Sequence, residues 1–285
     1  MTLSALQKHL RAILGASLPA GEADATARII LEDAAGYTPV DIAVHADREL
    51  EDFTVERLSA MARRVVDNDE PVQYVTGHAR FYGMDLKVEP GVLIPRPETE
   101  GLVDRIVDYA SSRPDLRVLD ACTGSGCIAI ALSRALPFSE VDAVDISGKA
   151  LAVAEENARM LGAATVRFSH RDALALPDAD EAVYDIIVSN PPYVADSERD
   201  TMDDRVLLYE PSEALFVPDS DPLRFYRALS AYAAHALKRG GRIYFEINSL
   251  FAADTAACMR AAGLTDVCTD RDFCGRMRYA WATRE

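Results

Sequence analysis

The sequence predicts an α/β fold, a doubly wound sheet with a mostly parallel core, preceded by a small helical bundle and a β-hairpin connector. Three observations carry that expectation. The first 76 residues repeat apolar side chains at helical spacing. From residue 117 onward, short apolar strand-like runs alternate with helical stretches. A glycine-rich turn joins the first of those runs to the helix after it. The expected division is helices over 1–76, a connector over 77–94 and the α/β domain over 95–285.

In the helical region, Leu3, Leu6, Leu10, Ile13 and Leu14 fall on one face. So do Ala27, Ile30, Leu31 and Ala34, and then Val55, Leu58, Met61, Ala62 and Val65. Gly15, Gly21, Gly36-Tyr37-Thr38-Pro39 and Asp67-Asn68-Asp69 punctuate them, because these residue types favour turns over continued helix. Gly77, Gly83 and Gly91 then separate short apolar and aromatic runs, which suits a hairpin. Buried strands are expected at 117–120, 141–145, 165–168, 184–189 and 242–247, and helices at 128–136, 149–161, 223–237 and 251–262. Segments 264–269 and 277–283 add two closing strands, for seven in all. The charged stretch 196–221 reads as a lid or a surface loop.

Composition bounds the function. With 285 residues, 49% hydrophobic and 27% charged, the chain can bury a sizeable core, which excludes disorder. The formal charge of -16 lacks the basic footprint of a duplex-binding protein, so no direct nucleic-acid binding is expected. No signal-peptide pattern or membrane-spanning run is visible, and a cytoplasmic monomer without membrane association is expected. The five cysteines, Cys122, Cys127, Cys258, Cys268 and Cys274, form no C-x-x-C pair, so reduced thiols and no metal site are expected. None of the five histidines sits in a nucleophile motif, which removes support for a hydrolase triad.

Two motifs carry chemistry. The first strand runs into Cys122, Thr123, Gly124, Ser125 and Gly126, then into a helix whose N-terminus offers unpaired N–H groups. The second strand ends in Asp145, where a carboxylate can accept both hydroxyls of an adenosine ribose. Together they point to an adenosine-containing cofactor; a packing turn with Asp145 as a helix cap is the structural alternative.

The second motif, Asn190-Pro191-Pro192-Tyr193, follows an apolar strand. The Asn190 side-chain carbonyl and the Pro191 backbone carbonyl can each accept one hydrogen of a planar NH2 group, and neither proline supplies a competing N–H. Tyr193 offers a flat face. An amide nitrogen is a poor nucleophile; accepting both of its hydrogens stabilises the positive charge that develops as it attacks a methyl sulfonium.

Asn190-Pro191-Pro192-Tyr193 after such a loop resembles the motif of amino-group methyltransferases that use S-adenosylmethionine. Further segments are similar to the peptide chain release factor glutamine methyltransferase family. They are Phe81-Tyr82-Gly83, Gly91-Val92-Leu93-Ile94-Pro95-Arg96-Pro97-Glu98-Thr99-Glu100, Tyr209-Glu210-Pro211 and Phe225-Tyr226-Arg227. The resemblance implies a Rossmann-like seven-stranded class I methyltransferase domain. It also implies methylation, by S-adenosyl-L-methionine, of the glutamine in the Gly-Gly-Gln motif of class 1 release factors. By position it places the methionine part of the cofactor on Cys122 to Gly126, the ribose on Asp145 and the adenine beside Asp172 and Ala173. The substrate glutamine falls on Asn190, Pro191, Pro192 and Tyr193, with Asn190 also beside the cofactor.

Three positions depart from the commoner pattern. Cys122 replaces a glycine, Ala173 an aromatic, and Asn248 the glycine often found after Glu246-Ile247. Without an aromatic at Ala173, another apolar side chain must cover the adenine. Arg96 and Glu98 could line the cofactor pocket, and Thr99 and Glu100 could equally start a helix. The alternative targets are a ribosomal-protein glutamine and the adenine amine of a nucleic acid. A base-flipping enzyme needs a phosphate-contacting surface, and the acidic helical region is a poor one. A non-catalytic cofactor-binding adaptor has no use for the acceptor array.

Overall fold

The computed structural model describes residues 1–177 and 182–285. The chain divides into two compact units, Met1–His78 with Asp203–Tyr209, and Ala79–Met202 with Glu210–Glu285.

The first unit contains α1 (Leu3–Leu14), α2 (Ala20–Ala35), α3 (Pro39–Val44), α4 (Asp52–Asp67) and α5 (Val72–Thr76). Local chemistry sets the boundaries. The Thr2 hydroxyl caps α1, Gly36 in the left-handed region at φ 70° ends α2, and Thr38 and Asp41 form a reciprocal capping box on α3. Leu3, Leu6, Leu10 and Leu14 of α1 pack with Ile30 and Leu31 of α2 and with Leu58 and Val65 of α4, all buried. This is the stripe of three to four apolar positions per two turns that a surface helix turns toward its core.

Apart from its first residue, His78, the hairpin β1 (His78–Phe81) and β2 (Met84–Lys87) opens the second unit. Tyr82 and Gly83 at its turn both have positive φ, 50° and 69°, the combination that matches strand twist in a two-residue connection. There follow α6 (Pro97–Ala110), β3 (Arg117–Ala121), α7 (Cys127–Ala135), β4 (Glu140–Asp145), α8 (Gly148–Met160), β5 (Val166–His170), β6 (Tyr184–Ser189) and β7 (Val194–Ala195). After a short 3-10 turn come α9 (Asp204–Tyr209), α10 (Ser212–Leu215), β8 (Phe216–Val217), α11 (Arg224–Ala236) and β9 (Leu237–Glu246). Then α12 (Ala252–Ala261), β10 (Thr265–Arg271) and β11 (Met277–Thr283) close the fold.

The main sheet has the order β10-β11-β9-β6-β3-β4-β5, with β11 antiparallel to both neighbours and the other pairings parallel. Its strands alternate between two cores. Val118, Ile186, Val188 and Tyr244 pack with α6 and α7, whereas Leu119, Ile187, Ile243 and Phe245 pack with α11 and α12. Both faces are covered, so the strands read as unbroken apolar runs.

Two segments differ from the sequence reading. β9 begins at Leu237 instead of 242 because its pairing with β6 skips from Leu237 to Arg242. Residues 238–241 bulge there, with Gly240 at φ 75° and a Cβ on Gly241 reaching within 3.0 Å of the Asp185 carbonyl. The stretch 196–221 is structured: β7 and β8 pair in parallel at its base. Between them α9 belongs to the first unit, where the Tyr209 hydroxyl donates to the Asn68 carbonyl at 2.7 Å and Arg205 pairs with Glu22 at 2.7 Å.

Candidate active site

The chain order reverses beside β3. From β3 it proceeds outward through β4 and β5, then returns to β6 on the other side of β3 and continues to β9. Loops leaving β3 and β6 therefore diverge, opening a crevice at the carboxyl ends of the strands, where open α/β sheets bind ligands. A cavity of about 330 Å³ lies there. The turn after β3 contributes Cys122 and Gly124, the end of β4 contributes Asp145, Ile146 and Ser147, and the loop after β6 contributes Asn190 and Pro192. Asp172, Ala173 and Leu174 line it from beyond β5, Phe216 from β8 and Phe225 from the first turn of α11.

The turn after β3 is held from below. Asp120, fully buried, accepts the Thr123 hydroxyl at 2.6 Å and the Ala129 N–H at 3.1 Å through one carboxylate oxygen. Burial pushes its pKa up to about 7. Gly126 adopts φ 82° at the start of α7, and a Cβ there would sit 3.0 Å from the Cβ of Ala154. The glycine thus permits α7 and α8 to close on each other. Gly124, at φ 56°, has no atom within 4 Å of where a Cβ would lie, so its backbone is open to the cavity. Cys122 is also left-handed, at φ 64°, a conformation that costs a non-glycine residue about 1 kcal/mol or more. Its thiol pKa is driven up, chiefly by burial.

Asp145 bridges two loops. Its Oδ2 accepts the Gly124 N–H at 2.8 Å and its Oδ1 the Ser147 N–H at 2.8 Å. The capping alternative is excluded, because the hydroxyl of Ser147, not Asp145, caps α8 by accepting the Ala150 N–H. Backbone N–H groups reach both Asp145 oxygens, and a carboxylate offers about four lone-pair sites, so acceptor capacity remains for a ligand. Burial raises the Asp145 pKa, against the lowering effect of the backbone N–H groups.

The loop after β6 is tied down on both sides. Ser189 donates to the Ala121 carbonyl at 2.6 Å, joining the ends of β6 and β3. The Asn190 amide nitrogen faces the Thr99 hydroxyl at 3.4 Å, and Thr99 donates to Glu246 Oε2 at 2.7 Å. Glu246 Oε1 accepts the Tyr193 hydroxyl at 3.0 Å, and Arg278 donates to that phenolic oxygen at 3.2 Å. Burial raises the Glu246 pKa, opposed by the hydrogen bonds from Thr99 and Tyr193. The Tyr193 phenol is likewise pushed up by burial.

The Methyltransferase small domain profile matches residues 100–216, and the PrmC N-terminal domain profile matches residues 5–77. A protein of Bacteroides thetaiotaomicron named release factor glutamine methyltransferase is 41% identical over 283 residues, covering 99% of this chain and 100% of the relative. The chain belongs to the release factor glutamine methyltransferase family. A family member from Flavobacterium psychrophilum is 38% identical over 253 residues, covering 88% of each protein. Among solved structures, a release factor-specific protein-(glutamine-N5) methyltransferase from Alicyclobacillus acidocaldarius is 29% identical, covers 70% of this chain and 99% of that chain, and superposes with a TM-score of 0.42.

For a member of this family, the structure separates residues that face the cavity from residues that hold them. Cys122, Gly124, Asp145, Asp172, Ala173, Asn190 and Pro192 line it together. Thr123, Ser125, Gly126, Pro191 and Tyr193 do not. The Thr123 hydroxyl is spent on Asp120, and the Ser125 carbonyl accepts from the buried Asn157 side chain at 3.0 Å. Gly126 packs between helices, and the Tyr193 hydroxyl turns toward Glu246. Arg96 also lies outside the lining; its guanidinium pairs at 2.5 Å with Glu210, whose carboxylate also accepts the Ile94 N–H at 3.2 Å. Asn248, where the family often has glycine, donates to the Tyr193 carbonyl at 3.1 Å and to Glu198 at 2.7 Å.

Sequence reasoning missed Asn157, Glu210, Glu246 and Arg278 as parts of this framework, and treated Thr99 only as a helix-start residue. Asn157 carried a usable signal, an amide between the apolar positions Ala154 and Ala158 of one helix face. Glu210 and Glu246 lie in family-like segments, but nothing local names the partners of these two or of Arg278, which are distant in sequence. Among the described residues, no helix is long and apolar enough to cross a membrane, and no cluster of His, Cys, Asp or Glu is placed to hold a metal ion.

Proposed function

We propose that this chain transfers a methyl group from S-adenosyl-L-methionine to the side-chain amide nitrogen of the glutamine in the Gly-Gly-Gln motif of class 1 release factors. The observation that carries the reading is that one cavity joins the Asp145 carboxylate to the acceptor residues Asn190 and Pro192. The cavity's chemistry fits the cofactor. The free lone pairs of Asp145 suit the two ribose hydroxyls, and the open backbone at Gly124 suits the methionine part. Asp172, whose Oδ1 already accepts the Leu174 N–H at 2.8 Å, borders the adenine position. With Ala173 small, Ile146, Leu174, Phe216 and Phe225 are among the apolar side chains of the lining available to cover the base.

When bound, the cofactor supplies an electrophilic methyl group on a sulfonium. The chain's own residues prepare the nucleophile. The Asn190 Oδ1, inside the cavity, accepts one hydrogen of the substrate amide; the second falls to the Pro191 carbonyl, next in the chain but outside the cavity lining, and the two prolines present no N–H to compete. Holding both hydrogens orients the nitrogen and stabilises its developing positive charge, as preorganised dipoles do at other reacting centres. Thr123, Ser125, Gly126 and Tyr193 support this site from behind. The helical unit, which carries no such constellation, is the candidate surface for choosing the protein substrate, since a glutamine side chain alone offers few contacts.

The test is methylation of purified release factor, with an adenine-containing oligonucleotide as a parallel substrate, and location of the methyl group by mass spectrometry. Methyl on the Gly-Gly-Gln glutamine is expected; methyl on adenine alone overturns the reading. Asn190→Ala should lower kcat by about a hundredfold, the order for removing one preorganised polar group, with cofactor affinity nearly unchanged.

A further inference from the structure

We infer that Glu246 is a positioning residue for methyl acceptance, acting through the Thr99 hydroxyl to set which way the Asn190 amide points. The inference deepens the acceptor reading and rests on it.

An asparagine amide has a donor end and an acceptor end of nearly equal shape, and only its neighbours decide which end faces a ligand. At Asn190 the deciding neighbour is Thr99, which is 1% exposed and has a single hydroxyl proton. An ionised carboxylate is acceptor-only, so while Glu246 is ionised the Thr99 proton, at 2.7 Å, is committed to its Oε2. The Thr99 oxygen then has only lone pairs to offer. It can face the Asn190 Nδ2 at 3.4 Å, but it has no proton to give to Oδ1. The acceptor end is thereby turned away from Thr99, and Asn190 lines the cavity.

Burial favours the protonated form of Glu246, and the donors around it oppose that, favouring the acceptor form. Glu246 is 1% exposed, and its second oxygen takes the Tyr193 hydroxyl at 3.0 Å. That hydroxyl oxygen in turn accepts from Arg278, whose guanidinium also donates to Asp272 at 3.3 Å. The Tyr226 hydroxyl donates to the Glu246 backbone carbonyl at 3.2 Å. Burial raises the carboxyl pKa of Glu246; the hydrogen bonds from Thr99 and Tyr193 and the charge of Arg278 oppose that shift, and Glu98 adds to it.

A protonated Glu246 would reverse the chain of donors. Its own proton would go to the Thr99 oxygen, freeing the Thr99 proton for Oδ1 of a turned Asn190 amide. Asn190 would then present NH2 to the NH2 of the substrate, and the acceptor site would be lost. Glu246, Thr99 and Asn190 thus form a two-state relay in which only one state accepts substrate.

The experiment compares full-length wild type with Thr99→Val, Thr99→Ser, Glu246→Gln, Asn190→Ala and the double variant Asn190→Ala/Thr99→Val. It reads kcat on release factor at saturating S-adenosylmethionine, cofactor Kd by calorimetry, and thermal unfolding. Thr99→Val should lower kcat about tenfold, less than direct removal of Asn190, with cofactor Kd within twofold. Thr99→Ser, which keeps the hydroxyl, should restore most of the loss. Adding Thr99→Val to Asn190→Ala should cost nothing further, because a residue acting through another has no effect once that other is gone. Wild-type kcat should fall on the acid side as Glu246 protonates, and Glu246→Gln should lose that limb. Unchanged kcat in Thr99→Val, additive losses in the double variant, or an unaltered acid limb in Glu246→Gln overturns the inference. Full turnover by Asn190→Ala would instead refute the acceptor reading itself, and the inference with it.

Discussion

Replacing Asp145 with alanine removes a carboxylate that serves the protein and the cofactor at once. On the protein side, the N–H groups of Gly124 and Ser147 lose acceptors at 2.8 Å each. Both residues border the cavity, so water can reach them, and the loss should be about 1 kcal/mol, or roughly 2 to 4 °C in Tm for a domain of this size. On the cofactor side, two charge-assisted hydrogen bonds to ribose hydroxyls disappear, weakening binding by about 1 to 3 kcal/mol, roughly 5- to 150-fold in Kd. Calorimetric titration with S-adenosylmethionine measures the second effect and thermal unfolding the first.

The pH dependence gives an independent check. Burial raises the Asp145 pKa above its usual value of 3.8. The folded protein therefore holds this proton more tightly than the unfolded chain. The stability contribution of the group is fully present below the unfolded pKa and is lost as pH rises through the folded one. Cofactor affinity runs the other way, because the ionised form is the better acceptor; it should fall as pH drops through the raised pKa. Asp145→Asn should flatten both dependences. A cofactor Kd within twofold of wild type in Asp145→Ala, with the drop in Tm still present, would show that Asp145 only ties the two loops together.

Asp120→Asn should alter the pH dependence of stability. The wild-type carboxyl is fully buried and titrates near about 7 instead of 3.8, so its contribution is present below pH 4 and lost as pH rises through about 7, a change of about 4 kcal/mol. The amide oxygen can keep the Thr123 and Ala129 hydrogen bonds, so denaturant titrations should show the variant gaining on wild type between pH 4 and 8; parallel curves would refute this. A fragment beginning at Val75 should bind S-adenosylmethionine but lose most of its kcat/KM on intact release factor, as calorimetry and methylation of the same soluble fragment would show. Lost cofactor binding would indicate that residues 1–76 serve only to stabilise the fold, and full activity would exclude their role in substrate choice.

Much of this protein is determined locally and can be read without its structure. The apolar face of α1, with Leu3, Leu6, Leu10 and Leu14, needs only helical periodicity to be found. The runs that became β3, β4 and β6 need only be apolar, short and flanked by glycine or charge. The turn after β3 and the Asn-Pro-Pro-Tyr motif are contiguous, and their chemistry follows from residue type and spacing. Their meeting at one crevice follows from the handed, parallel connectivity of the sheet.

What needed the tertiary structure is the set of groups that aim these residues. Thr99 and Glu246 are 147 residues apart, and only the placement of α6 beside the end of β9 puts a hydroxyl within 2.7 Å of a carboxylate. Tyr193 looked in sequence like a face for the substrate, but its hydroxyl is spent on Glu246. Glu210, far along the chain from Arg96, becomes its buried partner. Nor could periodicity show that α9, six residues inside a charged stretch, would pack with helices encoded over a hundred residues earlier. Apolar patterning is repeated along a segment and survives in the sequence alone, whereas a buried polar pair is a single contact between distant positions. Its physical requirement, that every buried donor find an acceptor, is visible only once the fold has brought the two together.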